Sequence, residues 1–206
     1  MREADNIRAV DALGVDYMGF IFYPRSSRYV TEKPRIMPCH AKRVGVFVDA
    51  TTADIIARIS SYGLHIVQLH GHESPHQCQE LRQKAETLLG IEIKIWKAIS
   101  VESIADLQEC GKYMQCVDGF VFDTKCSSYG GSGSKYDWNV LSAYTCPLPF
   151  LLSGGIGPMD AERIRTFHHP QFMGIDLNSR FESAAALKDI NTLDAFIKSV
   201  SPLNEH

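Results

Sequence analysis

The sequence predicts an α/β fold of the (β/α)8 barrel type whose opening strand is absent, so that seven strands are visible. Seven short apolar runs recur along the 206 residues, helix signals lie between most of them, and the first helix signal precedes every strand. Near-continuous apolar runs are typical of parallel strands that are buried on both faces. The predicted strands cover residues 18–22, 44–48, 66–69, 93–96, 119–122, 150–152 and 173–175.

The helix signals are end caps and apolar spacing. In the first helix Ala4, Ile7, Val10 and Leu13 share one face, and Gly14 suits a left-handed terminator. Strands that alternate with helices favour right-handed βα units in one domain over residues 1–206, either as a barrel or as an open doubly wound sheet. Further helices are predicted after Thr51 and Thr52, from Ser74-Pro75 to Gly90, after a cap at Ser100, after Gly157-Pro158 and over residues 190–200, whereas Pro34 and Pro38 predict an irregular crossover between Thr31 and Lys42.

Composition favours a protein that acts on small molecules. The chain has 21 Lys and Arg against 24 Asp and Glu and lacks a long basic run, which argues against binding nucleic acid or a membrane surface. No apolar run reaches the roughly 18 residues of a membrane span, and the charged start lacks a signal core, so we expect a cytoplasmic protein. The six cysteines form no Cys-x-x-Cys pair.

Polar residues follow several of the predicted strands, where barrel enzymes carry their chemistry. Asp123 is a candidate acid, or else the partner of Lys125 in an ion pair. Arg28 could bind a carboxylate in bidentate fashion, or form a surface ion pair. His70 is expected to be a hydrogen-bonding pocket residue. Its spacing from His72 could suit a metal, but no convincing further ligands are apparent, so we expect no metal site.

Glycine-rich and small residues follow the last strands. Ser153, Gly154 and Gly155 follow the sixth visible run, and Asn178, Ser179 and Arg180 follow the seventh. These loops are predicted to bind phosphate, because backbone N–H groups there can surround an anion, although tight turns alone would also explain Gly154 and Gly155. An earlier loop, residues 129–133, could cover a ligand with the exposed amides of Gly130, Gly131 and Gly133, or merely form a surface turn.

Together these motifs resemble phosphoribosylanthranilate isomerase, a (β/α)8 enzyme of tryptophan biosynthesis. The resemblance implies an Amadori rearrangement of N-(5'-phosphoribosyl)anthranilate to its 1-deoxyribulose form without a metal or organic cofactor. It implies that Asp123 is the general acid, Arg28 holds the anthranilate carboxylate, His70 lines the pocket, and the last two loops bind the phosphate. The segments that carry it are 19–29 (GFIFYPRSSRY), 43–48 (RVGVFV), 67–71 (VQLHG), 123–125 (DTK), 129–133 (YGGSG), 152–155 (LSGG) and 176–182 (DLNSRFE).

The family's base is a cysteine in a Cys-Gly motif at the end of the first strand, and Met1 aligns with the residue just after that motif. Cys126 is the cysteine nearest to the pocket, but it shares a loop with the acid. We therefore expect the 206-residue form to have little activity and two unpaired sheet edges. Another sugar-phosphate barrel, or an inactive barrel that binds a phosphorylated ligand, is the alternative. A monomer or a homodimer is expected.

Overall fold

A single curled sheet of seven parallel strands organises the fold in a computed structural model that describes residues 1–124 and 137–201. The strands pair in chain order from β1 to β7, so each one lies beside its neighbour in sequence. All seven predicted strands are present, and no end shifts by more than four residues. They are β1 Tyr17–Ile21, β2 Lys42–Phe47, β3 Ile66–Leu69, β4 Lys94–Ser100, β5 Gly119–Asp123, β6 Phe150–Ser153 and β7 Phe172–Ile175.

The helices confirm most of the predicted caps. Ser74 and Gln77 form a reciprocal capping box at the start of the longest helix, which ends at Gly90 with a left-handed φ of 65°. Thr51 accepts a hydrogen bond from the amide of Asp54 in the same way. The helices are α1 Ala4–Asp11, α2 Thr52–Tyr62, α3 Pro75–Leu89, α4 Ile104–Leu107, α5 Cys110–Tyr113, α6 Ala161–Thr166 and α7 Ile190–Val200.

Three local predictions were wrong or incomplete. The helix expected to be capped by Ser100 is replaced by two short helices, because β4 runs through Ser100 and the carboxylate of Asp106 binds the amides of Glu102 and Ser103 instead. The segment after Gly157-Pro158 begins with a 3-10 turn before α6. A small antiparallel hairpin, β8 Glu182–Ala184 and β9 Leu187–Lys188, was not predicted.

The two faces of the sheet carry separate apolar clusters. The larger cluster packs the sheet against the helices and contains, among others, Phe20, Phe47 and Phe150. The smaller one lies on the opposite face and takes one or two side chains from each of β2 to β6: Val44, Ile66, Trp96, Ala98, Val121 and Leu151. Burial on both faces explains why the strands appear in the sequence as continuous apolar runs.

The outer strands β1 and β7 are the edges of the sheet, and among the described residues no strand pairs with their free sides. The side chain of Met1 is buried beside β1, and its nitrogen donates to the carbonyl of Gly19 at 2.8 Å. Asn6 of α1 also exchanges two 2.8 Å hydrogen bonds with the backbone of Lys188 in β9. The N-terminal residues and the hairpin therefore lie close together.

None of the helices in the described ranges has the length and apolar character that a membrane span requires.

Candidate active site

Asp123 is the last residue of β5 and lies buried at the carboxyl edge of the sheet. It is in register with Ser100 of β4 and Ser153 of β6, so three polar side chains lie level across neighbouring strands. His70 directly follows β3, and its Nε2 lies 3.7 Å from Oδ2 of Asp123. A carboxyl group beside an imidazole at this edge can give or take a proton.

Arg28 approaches the same edge from the loop after β1. Its backbone is fixed by the Ser26 hydroxyl, which accepts from the Arg28 amide at 3.1 Å, and by the Val30 amide, which donates to the carbonyl of Ile21 at 2.9 Å. The guanidinium binds the buried carboxylate of Glu182 in bidentate fashion, with Nε at 3.0 Å from Oε1 and 2.8 Å from Oε2. Arg28 thus forms an ion pair, as the alternative interpretation held, but its partner is buried and not at the surface.

The loops predicted to bind phosphate lie side by side at the ends of β6 and β7. The Ser153 hydroxyl donates to Asp176 at 3.0 Å, and Gly154 and Gly155 follow with left-handed φ values of 94° and 67°. A Cβ at Gly155 would touch nothing within 4 Å, so its backbone is open to a ligand. Gly157 packs close to Arg180 of the neighbouring loop. The structure therefore brings the two loops together, as the sequence predicted.

A buried ion pair that the sequence analysis did not identify lies beneath His70. Lys97 Nζ is 3.1 Å from Oε2 of Glu73, and both side chains are only 3% exposed. Glu73 accepts from the amides of Asp49 and Gly71 at 2.9 Å, and Lys97 donates to the carbonyl of Gly71 at 2.7 Å. The pair thus fixes the turn that follows His70. A lysine inside the apolar run of β4 was the signal that could have revealed it.

Sequence reasoning also missed Glu182 and Lys188. Glu182 is 4% exposed on β8, and Lys188 Nζ lies 3.3 Å from its Oε1. The carboxylate therefore lies between two cationic side chains, Arg28 and Lys188. Both residues belong to the small hairpin, which carries no clear strand signal because it is only three and two residues long.

The described cysteines offer no ready thiolate at the strand ends. Burial raises the pKa of Cys78 and of Cys110 to about 12, so both thiols stay protonated at neutral pH. Cys116 and Cys146 are also buried, and Cys39 lies in the crossover after β1.

Cys126 and the glycines predicted to cover the ligand, Gly130, Gly131 and Gly133, lie outside the described residues. Within the described ranges no group of three His, Cys, Asp or Glu side chains could hold a metal ion.

Comparison with known proteins decides the family. Residues 1–199 match the family model described as N-(5'-phosphoribosyl)anthranilate isomerase. The chain belongs to the N-(5'-phosphoribosyl)anthranilate isomerase family. Its membership agrees with the predicted fold and with the resemblance seen in the motifs.

Two curated N-(5'-phosphoribosyl)anthranilate isomerases illustrate the relationship. The one from Phocaeicola vulgatus is 44% identical over 200 residues, which cover 97% of this chain and 94% of the relative. The one from Parabacteroides distasonis is 44% identical over 209 aligned residues, covering 97% of this chain and 90% of the relative. The crystal structure of the Thermotoga maritima phosphoribosylanthranilate isomerase superposes with a TM-score of 0.80 at 28% identity, covering 98% of this chain and 96% of that one.

Proposed function

We propose that this chain catalyses the Amadori rearrangement of N-(5'-phosphoribosyl)anthranilate in tryptophan biosynthesis. The observation that carries the proposal is the buried Asp123 at the carboxyl edge of the sheet beside His70, in a chain of which residues 1–199 match the isomerase family. Arg28 and the paired loops after β6 and β7 support it, since a substrate with a carboxylate and a phosphate needs one cationic contact and one anion-binding loop.

In the first chemical step the carboxyl group of Asp123 donates its proton to the furanose ring oxygen while the bond from that oxygen to C1 breaks. The anthranilate nitrogen supplies the electron pair, so the product is an open-chain protonated Schiff base and the Asp123 carboxylate. Arg28 is proposed to hold the carboxylate of anthranilate. Ser153, Gly154, Gly155, Asn178, Ser179 and Arg180 are proposed to hold the phosphate. His70 is proposed to line the pocket beside the acid.

In the second step a base removes the proton from C2, and the electron pair left there forms an enolamine. Its tautomerisation to the ketone gives the 1-deoxyribulose product with no net change in oxidation state. In both steps the protein supplies only proton transfers, so the proposed reaction requires neither a metal nor an organic cofactor. By the family resemblance the base is a cysteine on a strand before α1, and none of the described cysteines lies at a strand end. We therefore assign the base to none of the described residues.

The test compares three proteins in one fluorescence assay of substrate loss: the 206-residue chain, the chain preceded by a strand-forming segment that ends in Cys-Gly, and the same extension ending in Ser-Gly. We expect turnover with Cys-Gly to exceed turnover with Ser-Gly by about 10²–10⁴-fold, because only the first extension supplies a thiolate. Equal turnover by all three would refute the assignment of the base. If the ligand binds but no form turns over, the chain is a binding protein and the proposed activity is wrong.

The oligomeric state and the location stay predictions. We expect a monomer or a homodimer, located in the cytoplasm. Sedimentation analysis at micromolar concentration would decide the first.

A further inference from the structure

The carboxylate of Glu182 is held from two sides in a buried site. Arg28 binds it through Nε, at 3.0 and 2.8 Å from its two oxygens, and through Nη2. Lys188 Nζ approaches Oε1 at 3.3 Å. Glu182 is 4% exposed, whereas Arg28 keeps 25% of its side-chain surface. The arrangement therefore fixes the guanidinium from its buried side and leaves part of it accessible.

Arg28 has donors left over. A guanidinium carries five N–H groups in one plane, and Glu182 occupies the edge formed by Nε and Nη2. Nη1 makes no hydrogen bond to any residue in the ranges 1–124 and 137–201. With the plane of the group fixed by Glu182, the direction of the Nη1 donors is fixed as well. This is the preorganisation that bidentate or end-on recognition of a carboxylate requires.

Lys188 anchors Glu182 to the loop after β7. Its Nζ also donates to the carbonyls of Leu177 and Asn178, at 2.9 and 3.2 Å, and its amide donates to Asn6. Burial works to raise the pKa of Glu182, but the hydrogen bond from Arg28 and the charge of Lys188 outweigh it, so the pKa is lowered. Glu182 is therefore ionised at neutral pH and firmly placed.

We propose that Glu182 is a positioning residue of the isomerase: by binding one edge of Arg28 it aims the remaining guanidinium donors at the carboxylate of the substrate. The inference rests on the proposed function, because that function supplies the carboxylate. It assigns a role to a buried acid that touches no reacting atom. The opposite hypothesis is that Glu182 competes with the substrate carboxylate for Arg28.

The two hypotheses predict opposite effects of Glu182→Gln on binding of the carboxylate. The substitution keeps the shape of the side chain and removes one negative charge near the ligand carboxylate. If Glu182 is a competitor, its neutralisation strengthens binding of the anion. If it positions Arg28, the guanidinium loses its fixed plane and binding weakens.

The experiment measures equilibrium binding by calorimetry with two stable probes. The first is the reaction product with its ketone reduced to an alcohol, and the second is the same molecule built on aniline, which lacks the carboxylate. We expect Glu182→Gln to weaken binding of the first probe by about 10-fold or more, as for the loss of a charge-assisted hydrogen bond. We expect the aniline probe to change by less than about 3-fold. Stronger binding of the first probe, or equal loss for both, would overturn the inference.

A double-mutant cycle separates positioning from general structural damage. In an Arg28→Met background, Glu182→Gln should cause no further loss for the carboxylated probe, because Glu182 acts only through Arg28. An additive loss would contradict the inference.

If Glu182→Gln does not fold, Arg28→Lys tests the same point. It keeps the charge but loses the bidentate geometry, so it should erase the preference between the probes. A preference that survives in Arg28→Lys overturns the inference, whereas wild-type chain that binds neither probe refutes the proposed function instead.

Discussion

His70 and Asp123 lie 3.7 Å apart, Nε2 to Oδ2, although β4 separates the strands that carry them. In a flat sheet two strands that are not neighbours lie almost 10 Å apart. The curl of this sheet and the length of the two side chains close that distance at the carboxyl edge. A proton-transfer group therefore has a polar neighbour that does not come from an adjacent strand.

Asp123→Asn is expected to reduce kcat by about 10²–10⁴-fold, because an amide cannot supply the proton that opens the ring. The measurement is steady-state turnover in the form that carries the Cys-Gly extension. Binding of the reduced product should change by less than about 3-fold, since asparagine retains the shape of the side chain. Unchanged kcat would remove Asp123 from the chemistry.

His70→Gln is expected to lower kcat/KM by about 10-fold, which is less than the loss caused by Asp123→Asn, because His70 contacts the acid and does not itself carry the proton. The two substitutions should not be additive. In the Asp123→Asn background, His70→Gln should leave the residual rate unchanged within about 2-fold. Full additivity would mean that His70 acts independently of Asp123, for example by binding the substrate.

The buried pair of Lys97 and Glu73 should matter for stability. Lys97→Met leaves the carboxylate of Glu73 buried without its cation, which typically costs about 3–5 kcal/mol in the free energy of unfolding. Lys84→Met is the matched control: it breaks an exposed pair with Glu80 on α3 and should cost far less, because solvent screens that pair. Urea unfolding of both variants measures the difference, and equal midpoints would contradict this account.

Asp11 at the end of α1 should make the fold sensitive to acid. Its carboxylate accepts from the amides of Cys39 and Ala41 at 2.8 Å. Burial works to raise the pKa of Asp11, but these bonds and that of the His40 amide outweigh it, so the folded pKa lies below the unfolded one. The stabilisation is therefore fully present above the unfolded value near pH ~4 and is lost as the pH falls through the folded value.

Asp11→Ala should accordingly reduce the free energy of unfolding by about 1–3 kcal/mol at pH 7, and the difference from wild type should shrink toward pH 3. Urea unfolding between pH 3 and pH 7 measures this. A difference that is constant over the whole range would show that the carboxylate charge has no part in it.

The sequence predicts the strands well because parallel strands buried on both faces leave a continuous apolar run, as in Phe150–Ser153. It also predicts that Asp123 and Arg28 lie near the carboxyl edge of the sheet, because both follow such runs. It does not predict that Glu182 meets Arg28, since the two are 154 positions apart and a contact between loops leaves no periodic pattern. The cap expected at Ser100 was wrong because Asp106, six residues later, offers the backbone a competing set of bonds.

The two-way pairing of Asn6 with the backbone of Lys188 joins positions 182 residues apart. Strands that pair in chain order can add one after another through contacts that are local in sequence, but this pairing requires α1 and β9 to be in place together. The Lys188 amide donates to the Asn6 side chain, so the rate at which this amide exchanges with deuterium reports whether α1 and β9 are in contact. Slow exchange at that one amide therefore indicates that the first helix and the hairpin near the end of the chain are packed together.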